Sequence, residues 1–376
     1  FLHKNILIFR RFFNSANRFF MGIAAMAALT LVSCSSDDLN SLSDNSSKNE
    51  AISFDGYCGR SAVAVNGSRG SVVDIKALQE STEGFGVFGN YSSTTEGTPA
   101  YGNSLFNNQQ VTYDKTKSKW TYSPLRFWPT QGHIDFLAYA PYDSQYDNIV
   151  TKDNQKLTFR VDPVIGNQKD LLYANAVGQT KDNISSKGNK VKFQFAHALS
   201  KLGYKVKLSG DYSSNATFNL TKITLAGSSN GATKAFYTSG KIDLSKTNTA
   251  PDLWSEYATD RQNFDWFSGS STVTGTDLKH PNANRVENED YLFVIPQDFS
   301  ETGTDNLYVI VEYTITYTSG VSATVPNRVY KQLKKKFEPG KAYMINLTLG
   351  LPIEFDATVT DWEQDTPIDC TEPWDR

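Results

Sequence analysis

Two glycine-rich motifs and a few scattered histidines, cysteines and carboxylates are the residues that could carry chemistry. Gly84-Phe85-Gly86-Val87-Phe88-Gly89 has the GxGxxG spacing with which a strand-to-helix turn seats a pyrophosphate on a helix N-terminus. Polar residues 80–83 precede it and a Gly/Ser/Thr loop follows, so it reads instead as a glycine-rich strand carrying Phe85, Val87 and Phe88. Gly227-Ser228-Ser229-Asn230-Gly231 has the GxSxG spacing of a nucleophile elbow, which needs a helix after the serine. Residues 232–237 read as a strand, which makes this motif a hairpin loop. His133 and His197 sit beside apolar residues, with no carboxylate or cysteine at ligand or triad spacing. Four histidines without HExxH, three cysteines without CxxC, and no Asp-x-Asp-x-Asp-Gly loop argue against zinc, redox and calcium sites. The expectation is a protein that is not an enzyme and holds no cofactor or metal.

The elements available to position side chains are strands. The 376 residues carry 37 Lys+Arg against 40 Asp+Glu, and a net charge of −3 provides no basic field for nucleic acid. A hydrophobic content of 39%, with 19 Tyr and 23 Phe, is low for an α/β core but adequate for sandwiches with polar outer faces. Beyond residue 50, short alternating runs are separated by Gly, Asn, Ser and Asp. They predict strands at 61–65, 85–88, 133–139, 156–161, 191–195, 204–208, 218–225, 291–295, 307–317, 342–349 and 353–359. Residues 170–174 and 198–202 stay ambiguous. This spacing predicts an all-β chain of two tandem antiparallel β-sandwich domains. The polar stretch 178–190, apolar only at Ile184, sets the expected boundary between domains at 51–185 and 186–376.

The first 33 residues read as a signal peptide. Arg10, Arg11 and Arg18 precede an apolar run over 19–32, about 14 residues and too short to span a bilayer. The run stops at Leu31-Val32-Ser33-Cys34, which resembles a bacterial lipobox, so Cys34 is the expected lipidation site. Each buried CH₂ contributes ~0.8 kcal/mol, so two or more acyl chains hold a protein firmly at a membrane. Residues 34–50, rich in Ser, Asp and Asn, read as a flexible tether. The acidic residues after Cys34 also resemble a surface-export signal of Bacteroidetes lipoproteins.

Several segments in order resemble the fimbrillin (Mfa-like) family of Bacteroidales. They are Phe85-Gly86-Val87-Phe88, Leu125-Arg126-Phe127-Trp128-Pro129 and Ile134-Asp135-Phe136-Leu137-Ala138-Tyr139-Ala140-Pro141. Asp170-Leu171-Leu172-Tyr173-Ala174, Phe195-Ala196-His197-Ala198-Leu199-Ser200-Lys201-Leu202, Val294-Ile295-Pro296-Gln297, Pro339-Gly340-Lys341-Ala342-Tyr343 and Val359-Thr360-Asp361-Trp362 follow. The resemblance implies two tandem transthyretin-like sandwiches, export to the outer membrane as a surface lipoprotein, and assembly with other fimbrial subunits for adhesion. It also implies protease removal of a first strand after an Arg, and refilling of the groove by a strand from another subunit.

On that reading 61–65 is the removable strand, and Arg69 in a Gly/Ser-rich stretch is the processing candidate. Arg60 is the second candidate, because a cut there leaves 61–65 in place. The candidate donor strand is 353–359, with Phe355, Ala357 and Val359 on one face; the alternative is that it completes its own domain. The tail after Trp362 carries Pro367 and Pro373 and makes a poor strand. Cys58 and Cys370 could pair in an oxidising compartment. A competing function is a surface glycan-binding lipoprotein that does not polymerise, stacking sugars on Trp254 and Trp266; burial of those rings favours the structural reading.

Overall fold

The computed structural model describes residues 50–58, 75–93, 103–147, 149–151, 153–247, 249–281, 291–320, 322–351 and 356–361. Residues Lys48–Arg376 form one compact unit. The first strands are β1 Phe54–Cys58, β2 Phe85–Ser92, β3 Asn103–Asp114, β4 Lys119–Thr121, β5 His133–Ala140, β6 Lys156–Arg160, β7 Leu172–Gln179 and β8 Val191–His197. Next come β9 Ser200–Leu208, β10 Ala216–Ala226, β11 Phe236–Tyr237, β12 Ser239–Asp243, β13 Trp254–Ser255, β14 Arg261–Gln262, β15 Phe264–Val273 and β16 Leu292–Val294. The last are β17 Leu307–Tyr317, β18 Ala323–Leu333, β19 Ala342–Leu349 and β20 Asp356–Asp361. Two short helices, α1 Ile75–Glu80 and α2 Lys181–Ser185, join them.

The fold is all-β. A seven-stranded sheet has the order β1-β8-β7-β5-β2-β3-β4, and two four-stranded sheets have the orders β15-β10-β17-β18 and β16-β9-β19-β20. Pairing is antiparallel except at β1–β8 and β9–β19, where two parallel pairs enter the sheets.

Alternation makes the core. In β8, Val191, Phe193, Phe195 and His197 are buried and the residues between them are half-exposed. In β17, Leu307, Val309, Val311, Tyr313 and Ile315 do the same work, with Ile310 buried as well. β5 departs from alternation, since all eight of its residues are buried. The cause is that the seven-stranded sheet packs on both faces. Phe136, Ala138 and Ala140 of β5 face its own core, with Phe54, Phe85 and Phe193. Leu137 and Tyr139 face the core built mainly by the four-stranded sheets. A strand covered on both sides reads as a continuous apolar run.

The polar stretch 178–190 does not end the first sheet. Thr180 caps α2 through the Asn183 amide, and Ile184 is buried in the seven-stranded sheet's core. β8, which the stretch assigns to the C-terminal side, pairs with β1 and β7. The chain changes sheet between His197 and Ser200. A second tie crosses the halves, because β6 pairs with β12 over five residues.

The glycine motifs have structural reasons. Gly84 has φ +62°, and a Cβ there would lie 2.0 Å from the Val111 carbonyl oxygen. A Cβ on Gly86 would lie 2.4 Å from the Tyr139 ring. The Gly227–Gly231 segment is a loop, but β11 after it is two residues long and pairs with β14 rather than β10, so no hairpin forms. Gly86→Ala is expected to destabilise the protein by about 1–3 kcal/mol through overpacking, and Leu137→Ala by about 2–5 kcal/mol through the cavity it leaves. Urea denaturation measures both, and a neutral result for either would contradict this packing.

Candidate functional site

The distinctive local geometry belongs to β1 and the residues before it. The segment alternates, with Ile52, Phe54 and Gly56 buried and Ser53, Asp55 and Tyr57 half-exposed. On one side β1 runs parallel to β8, with Phe54 opposite Val191 and Gly56 opposite Phe193. The Val191 amide donates to the Ser53 carbonyl at 2.9 Å, and the Ser53 hydroxyl donates to the Asn189 carbonyl at 2.9 Å. On the other side the Ile52 amide donates to the Arg126 carbonyl at 2.8 Å, and the Trp128 amide donates to the Glu50 carbonyl at 3.1 Å. Residues 50–58 therefore close the gap between β8 and the segment that follows β4.

Phe54 is the peg of this closure. Its ring lies 5.4 Å from those of Phe106, Tyr122 and Phe136, and 5.6 Å from that of Phe193. Burying Ile52 and Phe54 contributes about 1.5–3 kcal/mol each. The Tyr122 hydroxyl donates to the Ile52 carbonyl at 2.6 Å, and burial pushes its pKa up to about 12. Gly56 faces Phe195, and a Cβ there would stand 3.3 Å from the ring. Without β1, an aromatic groove and the edge of β8 would be open. Sequence reading missed this strand, although the alternation in Ile52-Ser53-Phe54-Asp55-Gly56 was its signal.

Cys34, Arg60, Arg69, Phe355, Trp362 and Cys370 lie outside the described residues, as does the predicted strand 61–65 and the side chain of Cys58. Ala357 and Val359 lie on β20, which pairs with β19 of the same chain at the edge of its sheet. Ala357 is buried and Val359 half-buried. Lys331 pairs with Asp356 between exposed side chains, and the half-exposed Lys335 pairs with the exposed Asp361 at 3.0 Å.

Trp254 and Trp266 are each 5% exposed, so neither offers a platform. The Trp254 Nε1–H donates to the Ala198 carbonyl at 2.9 Å, and Trp266 meets the Tyr204 ring edge-on at 4.8 Å. Trp254 forms part of the wall of a cleft with a volume of about 780 Å³, beside Tyr237 and Tyr257. These two tyrosines stack at 4.2 Å, and the Arg261 guanidinium covers Tyr237 at 3.7 Å. Arg261 also reaches Asp305 at 3.3 Å.

Both buried histidines have carboxylate partners, contrary to expectation. His133 Nε2 lies 3.2 Å from Asp135 Oδ2, and Asp135 Oδ1 accepts from the Gly178 amide at 2.7 Å. Asp135 is two residues along the same strand, which places both side chains on one face. His197 Nδ1 lies 2.7 Å from Asp170 Oδ2, a partner 27 residues away with no local signal. Among the described residues, no three His, Cys, Asp or Glu are grouped to hold a metal.

Phe54→Ala is expected to cost about 3–5 kcal/mol in chemical denaturation, and Tyr122→Phe about 0.5–1.5 kcal/mol for the lost hydrogen bond. Both are expected to speed hydrogen exchange at the Val191 amide. Tyr122 keeps its proton in the folded protein beyond the pH where the unfolded chain loses it. Its contribution is therefore complete below about pH 10 and is lost as pH rises toward about 12. Tyr122→Phe should flatten that part of the alkaline stability profile, and an unchanged profile would contradict the assignment.

A family model described as fimbrillin-like matches residues 73–362. The chain is 27% identical over 384 residues to the fimbrium subunit Fim1C of Phocaeicola vulgatus, covering 92% of this chain and 97% of that protein. Its fold resembles the crystal structure of a fimbrial protein from Bacteroides vulgatus, with a TM-score of 0.56 and 20% identity over 84% of this chain and 98% of that one.

Proposed function

The chain belongs to the fimbrillin-like family, and we propose that it is a fimbrial subunit exported as a lipoprotein on Cys34, cut after Arg69 or Arg60, and joined to neighbours by strand exchange for adhesion. Membership indicates a structural, non-enzymatic protein of a cell-surface appendage that associates with other fimbrial subunits.

The observation that carries the strand-exchange reading is the position of β1. It ends at Cys58, upstream of both arginines. A cut after either one leaves β1 attached to the core by non-covalent contacts alone. This changes the standing of Arg60, since the strand to be released precedes it. Once β1 departs, an apolar groove and an unpaired edge on β8 accept an extended segment, with backbone bonds for affinity and alternate side chains for fit. A contact repeated head to tail generates a filament. Burial of Trp254 and Trp266 weighs against the glycan-stacking alternative.

Limited digestion of the full chain with an arginine-specific protease tests the processing step. The expected product begins at Ser61 or Gly70, with the β1 fragment retained until mild denaturant releases it. The double variant Arg60→Ala, Arg69→Ala should resist. Cleavage that spares residues 59–74 would overturn this step. In cells, Cys34→Ala is expected to move the protein from the membrane fraction to the soluble one, and retention in the membrane would remove the lipid anchor from the proposal.

A further inference from the structure

Trp254 is a wall of the cleft, and the ring that meets solvent beside it is Tyr257. This tyrosine lines the same cleft and is 37% exposed. A volume of about 780 Å³ lies within the range of small-molecule sites.

Local structure fixes the Tyr257 ring. Tyr237 and Arg261 stand opposite each other in the β11–β14 pair, and the guanidinium covers one face of Tyr237. Tyr257 stacks on the other face at 4.2 Å. The chain reaches that position by turning at Glu256, which has φ +50° and whose carboxylate is held by Lys156 and Lys241. The Tyr257 hydroxyl donates to the Trp254 carbonyl at 3.2 Å. A Cβ on Gly240 would stand 3.0 Å from the ring, so the glycine gives it room. An aromatic face held in this way loses little freedom when a ligand stacks on it.

The rest of the cleft supplies polar groups. Gln297, 5% exposed, donates through Nε2 to Asp305 at 2.7 Å and to the Ala235 carbonyl at 3.0 Å. Its Oε1 is buried and has no hydrogen-bond partner, a condition that calls for a donor. Asp298, oriented by the Ser300 amide at 2.9 Å, and Glu338 add carboxylates. Asp298, Asp305 and Glu338 are matched by Lys336, Lys341 and Arg261, so neither sign of charge prevails among these groups.

We propose that this cleft binds a neutral pyranoside, with one face of the sugar ring on Tyr257 and its hydroxyls on the surrounding carboxylates, lysines and amide. The positively polarised C–H groups of a pyranose face suit the negative face of an aromatic ring. Sugar hydroxyls both donate and accept, and the cleft offers carboxylate and amide acceptors beside ammonium donors. Hydrogen bonds to charged groups are roughly twice as strong as those between neutral ones. A wholly apolar ligand would leave these groups without partners, and a charged sugar would bring a charge that the balanced cleft does not match. The inference goes beyond subunit assembly and does not depend on strand exchange.

The test uses the intact, uncut chain. Methyl glycosides of glucose, galactose, mannose, fucose and N-acetylglucosamine are screened by saturation-transfer NMR, with methyl glucuronide and methyl glucosaminide as charged comparisons. A neutral glycoside is expected to receive saturation chiefly on the protons of one ring face, and titration then gives its affinity. Tyr257→Ala should weaken binding about tenfold or more, and Glu338→Gln about tenfold. Tyr257→Phe keeps the ring and should retain binding, as should Trp266→Phe, which alters a buried ring away from the cleft. Thermal denaturation checks that each variant is folded. Binding that survives both Tyr257→Ala and Glu338→Gln would overturn the site, and preference for a charged glycoside would overturn the ligand class. Absence of saturation transfer to every neutral glycoside would overturn the proposal and leave the fimbrial reading untouched.

Discussion

A backbone edge in a sheet must be paired or covered, and in this protein that constraint is met at β8 by a strand of five residues. Its hold depends on Phe54 among four other rings and on carbonyl and amide groups engaged on both sides. None of these contacts needs residues 59–74. The covalent link only keeps the effective concentration of β1 high. A single cut turns β1 from a part of the fold into a ligand whose occupancy obeys mass action. The same contacts that complete the first core thus set how firmly a nicked chain would keep β1.

The two cores share a wall. Phe136 and Leu137 are neighbours in β5 and point into different cores, and the β6–β12 pairing ties the halves again. Such sharing packs the seven-stranded and the four-stranded sheets into one compact unit.

How much of this was legible follows from how each strand is covered. β17 and β19 were read at their observed limits, because their inward faces alternate along the whole strand, although Ile310 and Met344 are also buried out of phase. β5 was read from its apolar run. β3 was missed because Asn107, Asn108, Gln109 and Gln110 sit in its centre, and Asn108 takes φ +49°, where the register with β2 shifts. β1 was missed because Gly56 replaces an apolar residue at the third inward position, a substitution that Phe195 explains only in three dimensions. The histidine partner Asp135 was legible from period two, whereas Asp170 depends on tertiary approach. Trp254 and Trp266 cluster in sequence near other aromatics, but sequence density does not distinguish a platform from packing.

A sheet edge left uncovered needs chemistry that discourages pairing. β18 is the test case, an edge strand of 11 residues with Val325 and Tyr330 exposed at 40% and 54%. It carries Pro326, which lacks the N–H that pairing requires, and Arg328 and Lys331, whose charges resist a like strand. Arg328 is further anchored to the Ser229 carbonyl at 2.9 Å, and Lys331 to Asp356 of β20. β1 has none of these devices: no proline, no Lys or Arg, and a buried face of Ile52, Phe54 and Gly56. The edge of β8 is guarded by occupancy and β18 by its own chemistry. That difference leaves the edge of β8 protected only while β1 stays in place, whereas β18 discourages pairing without any cover.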